Sequence, residues 1–319
     1  QYLPEDTISD IEWDKSGRYL AVSSWDKTIS VYDTYTGDLV HRDTLSNPSL
    51  TCCFIGENSN FAVVSSSSTE LYHSSIDRGK KILLGSHEDV ISRVVSVDSS
   101  KSELISASID GNVKLWDIRR YTTPSFSFKF PSPGQNIIDM STHGNKLYMI
   151  TSHRCFITAD IRNLSKPFHC SESCLRHQAT CMSVAGNGSR YACGSVEGRV
   201  GIIDFDKDGI EHGDSKHRTC FRAHMNPDAC IVQSVALNHS GTTLLTGASD
   251  GVNLINIEQL ECSDFPELAG CVKLQWFGDE KFACVCGYGW EDMEKDSPLF
   301  FERGMEKQKK LSKLIIRKI

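Results

Sequence analysis

The side chains that could carry out nucleophilic chemistry in this sequence lie in its first half. His87, Ser106 and Asp110 are the residue types of a hydrolase triad, in which an acid orients a histidine that activates a serine hydroxyl. The same three residues, with Trp116, also suit a structural tetrad, a buried hydrogen-bond chain that satisfies polar groups inside a packed β unit. Three of the four lie in a repeated hairpin, and this favours the structural interpretation.

A second cluster could hold a metal, since it contains four potential zinc ligands within nine residues: His169, Cys170, Cys174 and His177. Cys-x3-Cys-x2-His with an adjacent histidine does not fit the common zinc spacings. Neither phosphate-binding pattern, G-x-x-x-x-G-K-[ST] or G-x-G-x-x-G, is present in the sequence. We therefore expect no metal, no cofactor and no enzymatic activity.

The stretch 106–117, SASIDGNVKLWD, contains a pattern that recurs along the chain. Apolar and polar residues alternate on both sides of Asp110-Gly111, which predicts a β-hairpin with a tight turn. Similar hairpins lie at 24–33, 195–204 and 248–254, and weaker ones at 66–72, 152–158 and 287–300. Their turns follow at intervals of about 40 to 45 residues, the blade period of a WD-type propeller. The sequence therefore predicts an all-β fold, a seven-bladed WD40 β-propeller.

The expected domain limits follow from this repeat. We expect residues 1–303 to form one propeller, and 304–319 to be a basic C-terminal tail or a closing strand. The predicted blades cover 8–43, 50–84, 90–130, 137–161, 181–221, 231–265 and 272–302, the last ending in a strand at 299–302. A closed ring needs an outer strand for its last blade, supplied either by a longer native N-terminus or by 311–319. The polar segment 206–217 is predicted to be an insertion loop.

Composition excludes several classes of function. The chain has 319 residues and a net charge of −7, although residues 303–319 alone hold seven basic residues against one glutamate. The acidic body argues against a protein-wide nucleic-acid footprint, while the tail could contact an acidic partner, an import receptor or RNA. No apolar run is long enough for a membrane span. The odd count of 13 cysteines, mostly in predicted strands, indicates reduced thiols in the nucleus or cytosol.

Trp25 is the strongest candidate for a contact residue. It lies directly before a hairpin turn, where an exposed indole is a typical hot-spot side chain in protein interfaces. The alternative is a buried tryptophan that fills the loop.

Several segments together carry a resemblance to a known family. They are SSWDKTISVYD at 23–33, SIDGNVKLWDIR at 108–119, DIRN at 160–163, ESCLRHQ at 172–178, GSVEGRVG at 194–201, CFRAH at 220–224 and YGWEDM at 288–293. The chain resembles the budding-uninhibited-by-benzimidazole WD-repeat family of the mitotic spindle checkpoint. A close relative is the messenger-RNA export WD protein of the nuclear pore.

The resemblance implies a scaffold that recruits checkpoint kinases to kinetochores. Family members hold a GLEBS motif of a checkpoint kinase or pseudokinase with tryptophans in blades one and three and an arginine in blade five. The matching positions here are Trp25, Ile109 and Arg199, so Ile109 replaces an aromatic residue. An arginine can bind motif glutamates through two hydrogen bonds, and a tryptophan adds apolar area. Loss of one aromatic would cost about 1 kcal/mol or more.

The resemblance also implies reading of phosphorylated Met-Glu-Leu-Thr repeats on a kinetochore scaffold. Arg222 is the matching cation, and Arg218 or Lys216 could compensate for basic residues that the following loop lacks. We expect a monomer in a hetero-complex, located in the nucleus, at kinetochores in mitosis, and also in the cytoplasm. The alternatives are an export adaptor that binds a nucleoporin GLEBS motif and a substrate receptor of a ubiquitin ligase.

Overall fold

The computed structural model describes residues 3–56, 62–97, 102–120, 123–129, 136–164, 169–206, 210, 217–225, 231–287 and 313–319. In these ranges the chain forms 27 strands in seven antiparallel sheets, six of four strands and one of three. Each sheet is one blade, and its strands follow chain order. The predicted seven-bladed propeller is confirmed.

Blades one to three contain β1 (Ile8–Trp13), β2 (Tyr19–Ser24), β3 (Thr28–Asp33) and β4 (Leu39–Thr44); β5 (Ser49–Ile55), β6 (Ala62–Ser67), β7 (Glu70–Ser75) and β8 (Lys80–Ser86); and β9 (Ile91–Ser96), β10 (Glu103–Ser108), β11 (Asn112–Asp117) and β12 (Phe126–Lys129). Blades four and five contain β13 (Ile137–His143), β14 (Lys146–Thr151), β15 (Cys155–Asp160) and β16 (His169–Glu172); and β17 (Ala179–Val184), β18 (Arg190–Ser195), β19 (Arg199–Asp204) and β20 (Arg218–Arg222). Blades six and seven contain β21 (Ser234–Leu237), β22 (Thr243–Ala248), β23 (Gly251–Asn256) and β24 (Glu261–Phe265); and β25 (Cys271–Phe277), β26 (Lys281–Cys286) and β27 (Lys313–Lys318). Short 3₁₀ turns lie at Ile161–Asn163 and Pro266–Leu268.

The hairpin at 106–117 shows why these residues form blades. Ile105 pairs with Leu115 across β10 and β11, so the alternating apolar side chains share one face. At the turn Gly111 has a φ of 81°, a conformation that costs glycine little. Asp110 Oδ1 accepts a 2.7 Å hydrogen bond from the backbone N–H of Asn112, which fixes the turn.

The seven blades close into a ring. The first strand of each blade contacts the first strand of the next, and β25 of blade seven contacts β1 of blade one. At this last junction the backbone N–H of Trp13 donates to Gln275 Oε1 at 3.0 Å. The first strands therefore line the central axis, and the later strands of each blade lie progressively further out.

The core consists of seven clusters of buried apolar side chains in the described residues, each lying between two neighbouring blades. Trp116 fills the space between blades two and three and packs against the backbone of Gly85, where a Cβ would lie 2.4 Å from the indole ring. Cys53, Cys193 and Cys284 are all buried, and the described cysteines stand as thiols.

Two strands lie where the sequence suggested other roles, one in blade four and one in blade seven. His169–Glu172, considered above as part of a metal cluster, is the outer strand of blade four and pairs with β15. The basic stretch at 313–318 is a strand that pairs with β26, and Arg317 and Lys318 form ion pairs with Glu267 and Glu280 at 2.9 and 3.1 Å. The expected strand at 299–302 and most of the insertion loop lie outside the described residues.

Candidate peptide-binding face

The residues implied by the resemblance lie at one end of the blades. This end, here called the turn face, carries the turns between the second and third strands of each blade and the connections from each blade to the next. The backbone N–H of Trp25 donates to the backbone oxygen of Thr7, directly before β1, at 3.0 Å. In blade three the N–H of Ile109 makes the same contact with Val90, directly before β9. Arg199 is the first residue of β19, directly after the corresponding turn of blade five.

Trp25 is exposed on this face, with 51% of its surface accessible. Its turn is held by Asp26, whose carboxylate accepts from the backbone N–H of Thr28 at 2.9 Å and of Glu5 at 2.8 Å. Arg42 from β4 forms an ion pair with the same carboxylate at 3.2 Å. The indole therefore projects from a turn whose backbone is anchored on three sides, so little conformational entropy would be lost on binding.

Ile109 occupies the corresponding turn of blade three. It is only half-buried, so an apolar side chain remains accessible at this point of the face. Ile109 offers less area than an indole and no donor group.

Arg199 and Arg222 are brought together in blade five. They are directly opposite partners on β19 and β20, so their side chains extend on the same side of the sheet. Arg199 Nε lies 3.3 Å from Glu197 Oε1, and Arg222 Nη2 donates to the backbone oxygen of Glu197 at 3.4 Å. With two guanidinium groups against one carboxylate, this pair keeps a positive charge that can bind an acidic or phosphorylated group.

The connection between blades four and five completes this site, and sequence reasoning missed its role. His177 Nε2 lies 3.4 Å from Glu197 Oε2, so a residue considered above as a zinc ligand contacts the carboxylate beside Arg199. Arg154, in a turn of blade four, donates to the backbone oxygen of Arg176 at 2.9 Å and pairs with Glu172 at 2.6 Å. The sequence carries no spacing signal for these contacts, because the partners lie about 20 residues apart in the chain and meet only in the folded propeller.

Of the two cations considered as substitutes for missing basic residues, the structure describes Arg218. Arg218 lies on β20 four residues before Arg222, about 13 Å away along an extended strand. Arg218 is thus not an immediate neighbour of Arg222 on the strand, and its part in phosphate binding stays a prediction. Lys216 lies outside the described residues.

The tetrad residues form a buried hydrogen-bond chain with three members. Ser106 Oγ lies 2.6 Å from His87 Nε2 and accepts from Trp116 Nε1 at 2.7 Å. Burial, followed by the charge of Lys114, lowers the pKa of His87 to about 4, so the imidazole is neutral at physiological pH. The chain does not extend to Asp110, because His87 Nδ1 has no hydrogen-bond partner among the described residues.

A second such chain, which the sequence analysis missed, lies in blade six. His224 Nδ1 is 2.6 Å from Asp250 Oδ1, and His224 Nε2 is 3.0 Å from Thr246 Oγ1. Here the turn aspartate does join the chain, as was expected for Asp110. Thr246 and Asp250 have the same spacing as Ser106 and Asp110, but no tryptophan follows at the spacing of Trp116, so the pattern was not recognised.

The described part of the chain holds neither an accessible hydrolase triad nor a metal site. Ser106 and His87 are buried beneath Trp116, which leaves the serine hydroxyl no access to a substrate. Within the described ranges, no three His, Cys, Asp or Glu side chains converge to hold a metal ion. None of the described helices has the length and apolar character that a membrane crossing requires.

Charged side chains from several blades meet at the central axis. Asp10 of blade one forms ion pairs with Arg93 of blade three and, at 3.1 Å, with Lys273 of blade seven. Arg93 also reaches Asp139 of blade four at 3.2 Å. Burial alone would raise the pKa of Asp10, but Arg93 and Lys273 lower it to about 2. The cluster ties the blades together beside a cavity of about 280 Å³.

Glu12 lines the same cavity and is a half-buried acid whose hydrogen-bond partner is a neutral amide. Gln275 Nε2 donates to its Oε2 at 2.6 Å. Burial raises the pKa of Glu12 to about 7, an effect that the positive charge of Arg93 opposes.

Comparison with known proteins identifies the family. The profile described as "WD domain, G-beta repeat" matches residues 3–33 and 80–117. Mitotic checkpoint protein BUB3.1 of Arabidopsis thaliana is 31% identical over 304 residues, which are 92% of this chain and 87% of that protein.

The chain belongs to the BUB3 family of mitotic checkpoint proteins. Mitotic checkpoint protein bub3 of Dictyostelium discoideum is 26% identical over 92% of the chain and 90% of its own length. Poly(A)+ RNA export protein of Schizosaccharomyces pombe is 26% identical over 90% of the chain and 83% of its own length. The resemblance to the checkpoint family is thus confirmed, and fold and family together point to a non-enzymatic scaffold that acts through protein–protein interaction.

Proposed function

We propose that this BUB3-family propeller binds an acidic linear motif, the GLEBS segment of a checkpoint kinase or pseudokinase, across its turn face. The observation that carries the proposal is the pairing of Arg199 with Arg222 beside Glu197. Two cations opposite each other on one side of a sheet repel, and an acidic ligand relieves that repulsion. Trp25 and Ile109 supply the apolar contacts on the same face.

Arg222 is the cation that we assign to a phosphothreonine in a Met-Glu-Leu-Thr repeat. It is the last residue of β20 and exposed, so a phosphate can approach it from solvent. A phosphate carries roughly two negative charges near neutral pH and accepts several hydrogen bonds. Binding to such repeats would bring the kinase to kinetochores in mitosis. The chain would be a monomer within a hetero-complex, located in the nucleus and also in the cytoplasm.

The second candidate is an export adaptor that binds a nucleoporin GLEBS segment. It is favoured by the likeness to Poly(A)+ RNA export protein over most of the chain. Both candidates use Trp25 and Arg199 in the same way. They differ in the partner and in the need for a phosphate at Arg222.

Calorimetry with three peptides separates the candidates. The peptides are the GLEBS segment of the checkpoint kinase and that of the nucleoporin, both from the same organism as this chain, and a Met-Glu-Leu-Thr repeat with and without phosphate. Each is titrated into the unchanged protein, Arg199→Ala and Arg222→Ala. The matched control is Arg119→Ala, because Arg119 is exposed in a loop that follows β11, away from the turn face.

The checkpoint proposal predicts tight binding of the kinase peptide, lost with Arg199→Ala, and phosphate-dependent binding of the repeat, lost with Arg222→Ala. Arg119→Ala should bind all peptides normally. If the nucleoporin peptide binds more tightly and phosphate has no effect, the export candidate replaces the checkpoint one. If no peptide binds, both proposals are wrong.

A further inference from the structure

Two cysteines meet beside Arg199 in a way that partner binding does not require. Cys220 lies on β20 directly opposite Gly201, on the same side of the sheet as Arg222. Cys174 lies in the connection that leads from β16 to β17. A Cβ at Gly201 would lie 2.2 Å from Cys174 Sγ, so the glycine leaves the space that this sulfur occupies.

The strand register places the two sulfurs within reach of each other. Side chains directly opposite in an antiparallel pair have Cβ positions about 4.5 to 5.5 Å apart. Since the Cys174 sulfur takes the place of a side chain at Gly201, the thiol of Cys220 can contact it. A side-chain hydrogen bond joins Cys220 to Cys174, and another joins Cys220 to Arg199.

The two thiols differ in chemistry. The hydrogen bond to Cys174, followed by burial, raises the pKa of Cys220 well above its usual range, so Cys220 stays protonated. The first reaction with an electrophile therefore falls to Cys174. Cys220 is exposed, which gives an oxidant access to the pair.

We propose that Cys174 and Cys220 form a redox modification site that closes to a disulfide when a peroxide oxidises it. The Cys174 sulfur attacks one peroxide oxygen, the O–O bond breaks, and a sulfenic acid and water form. Cys220 then attacks the Cys174 sulfur, the S–O bond breaks, and a second water leaves. Two thiols thus lose two electrons and two protons, which reduce hydrogen peroxide to two waters.

Oxidation of the two cysteines regulates peptide binding at the turn face. This regulation rests on the proposed function of Arg199. The disulfide removes the thiol that contacts Arg199 and ties the connection that carries His177 to the outer strand of blade five. Both changes alter the surroundings of the Arg199–Glu197 ion pair. Oxidation should therefore weaken binding of the acidic peptide about fivefold or more.

Mass spectrometry of the full chain tests the modification directly. The folded protein is treated with hydrogen peroxide, its remaining thiols are blocked with iodoacetamide, and it is digested without reductant. The variants are Cys174→Ser and Cys220→Ser, and the control is Cys262→Ser, which changes an exposed thiol on the outer strand of blade six. We expect a cross-linked peptide joining residues 174 and 220 in the unchanged protein and the control, but not in the other two variants, and we expect dithiothreitol to remove it.

Other products would overturn the proposal. Cys193 Sγ lies 3.3 Å from the same Cβ position, so a 174–193 cross-link is the competing outcome, as is a link to the exposed Cys170. Oxidation of Cys262 to the same extent as the pair would show unselective damage.

Calorimetry of the oxidised protein with the acidic peptide tests the regulatory part separately. A cross-link without a change in affinity would refute the regulation and leave the modification site standing. A peptide that fails to bind the reduced protein would refute the proposed function instead, whatever the cross-link map gives.

Discussion

Arg199 and Arg222 lie directly opposite each other on β19 and β20, and both contact Glu197 of the preceding turn. One carboxylate cannot neutralise two guanidinium groups, so this side of blade five keeps a positive charge within a chain of net charge −7. A site of this kind selects acidic and phosphorylated ligands and disfavours basic ones. The peptide binding proposed for the turn face depends on this pair.

Replacing Trp25 with alanine should weaken binding of the acidic motif by about 2 kcal/mol, or roughly 30-fold, because the exposed indole would supply contact area in the proposed complex. Thermal stability should change little, since half of the side chain is exposed. Calorimetry and thermal unfolding measure the two effects. Tyr35→Ala is the matched control, because Tyr35 is also exposed but lies in the turn between β3 and β4, at the opposite end of the blade. Equal losses of affinity in both variants would contradict the role of Trp25.

Replacing Ile109 with tryptophan should strengthen binding by about 1 kcal/mol, because the larger aromatic side chain adds apolar area at a half-buried turn position. The comparison is a calorimetric titration of the same peptide into both proteins. Ile109→Leu serves as the control, since it keeps the apolar volume and should leave the affinity unchanged. An unchanged affinity with tryptophan would mean that the peptide does not cross blade three.

Replacing Ser106 with alanine should lower the free energy of unfolding by about 2 to 4 kcal/mol, because His87 and Trp116 would each lose a buried hydrogen-bond partner. Urea unfolding gives the value. Ser127→Ala, on the exposed side of β12, should change stability by less than about 0.5 kcal/mol. A stable Ser106→Ala protein would show that a water molecule replaces the hydroxyl.

Glu12 should make the protein less stable as the pH rises. Its pKa is about 7 in the folded protein against an ordinary value of 4.5, so the folded state holds a proton that the unfolded state releases. The cost is absent below pH 4.5 and complete above pH 7, where it amounts to about 3 kcal/mol.

Glu12→Gln keeps an acceptor for Gln275 and removes the titration. Its free energy of unfolding relative to the unchanged protein should therefore rise between pH 4.5 and pH 7.5 in urea unfolding. His87, whose pKa is lowered, contributes the opposite slope between about pH 4 and pH 6.5, but it is present in both proteins and cancels. If the difference in free energy of unfolding between the two proteins does not change with pH, the raised pKa of Glu12 is wrong.

The architecture could be predicted from the sequence because each blade repeats a local signal. Alternating apolar residues around a turn such as Asp110-Gly111 predict a hairpin from about ten residues of sequence. The constant spacing of these hairpins then predicts the number of blades. The prediction failed where a strand lacks that alternation. His169–Glu172 has only polar and thiol side chains, and it is a strand because β15 offers it an edge with which to pair.

The charged site of blade five could be predicted only in part, because its residues come together through strand register and tertiary packing. Arg199 and Arg222 were named from the resemblance, but their position opposite each other depends on the register of β19 and β20. That register is set across the long connection at 205–217, which no motif encodes. The contacts of His177 and Arg154 join blade turns to the connection between blades four and five, so they depend on tertiary packing and not on local spacing.

The central claim is that the arginine pair of blade five binds an acidic motif of a checkpoint kinase. The most direct test is a calorimetric titration of that kinase's GLEBS peptide into the unchanged protein, Arg199→Ala and the Arg119→Ala control. The account predicts that Arg199→Ala alone loses about 2 kcal/mol or more of binding free energy, with a weaker dependence on salt. Equal affinity in all three proteins would contradict it.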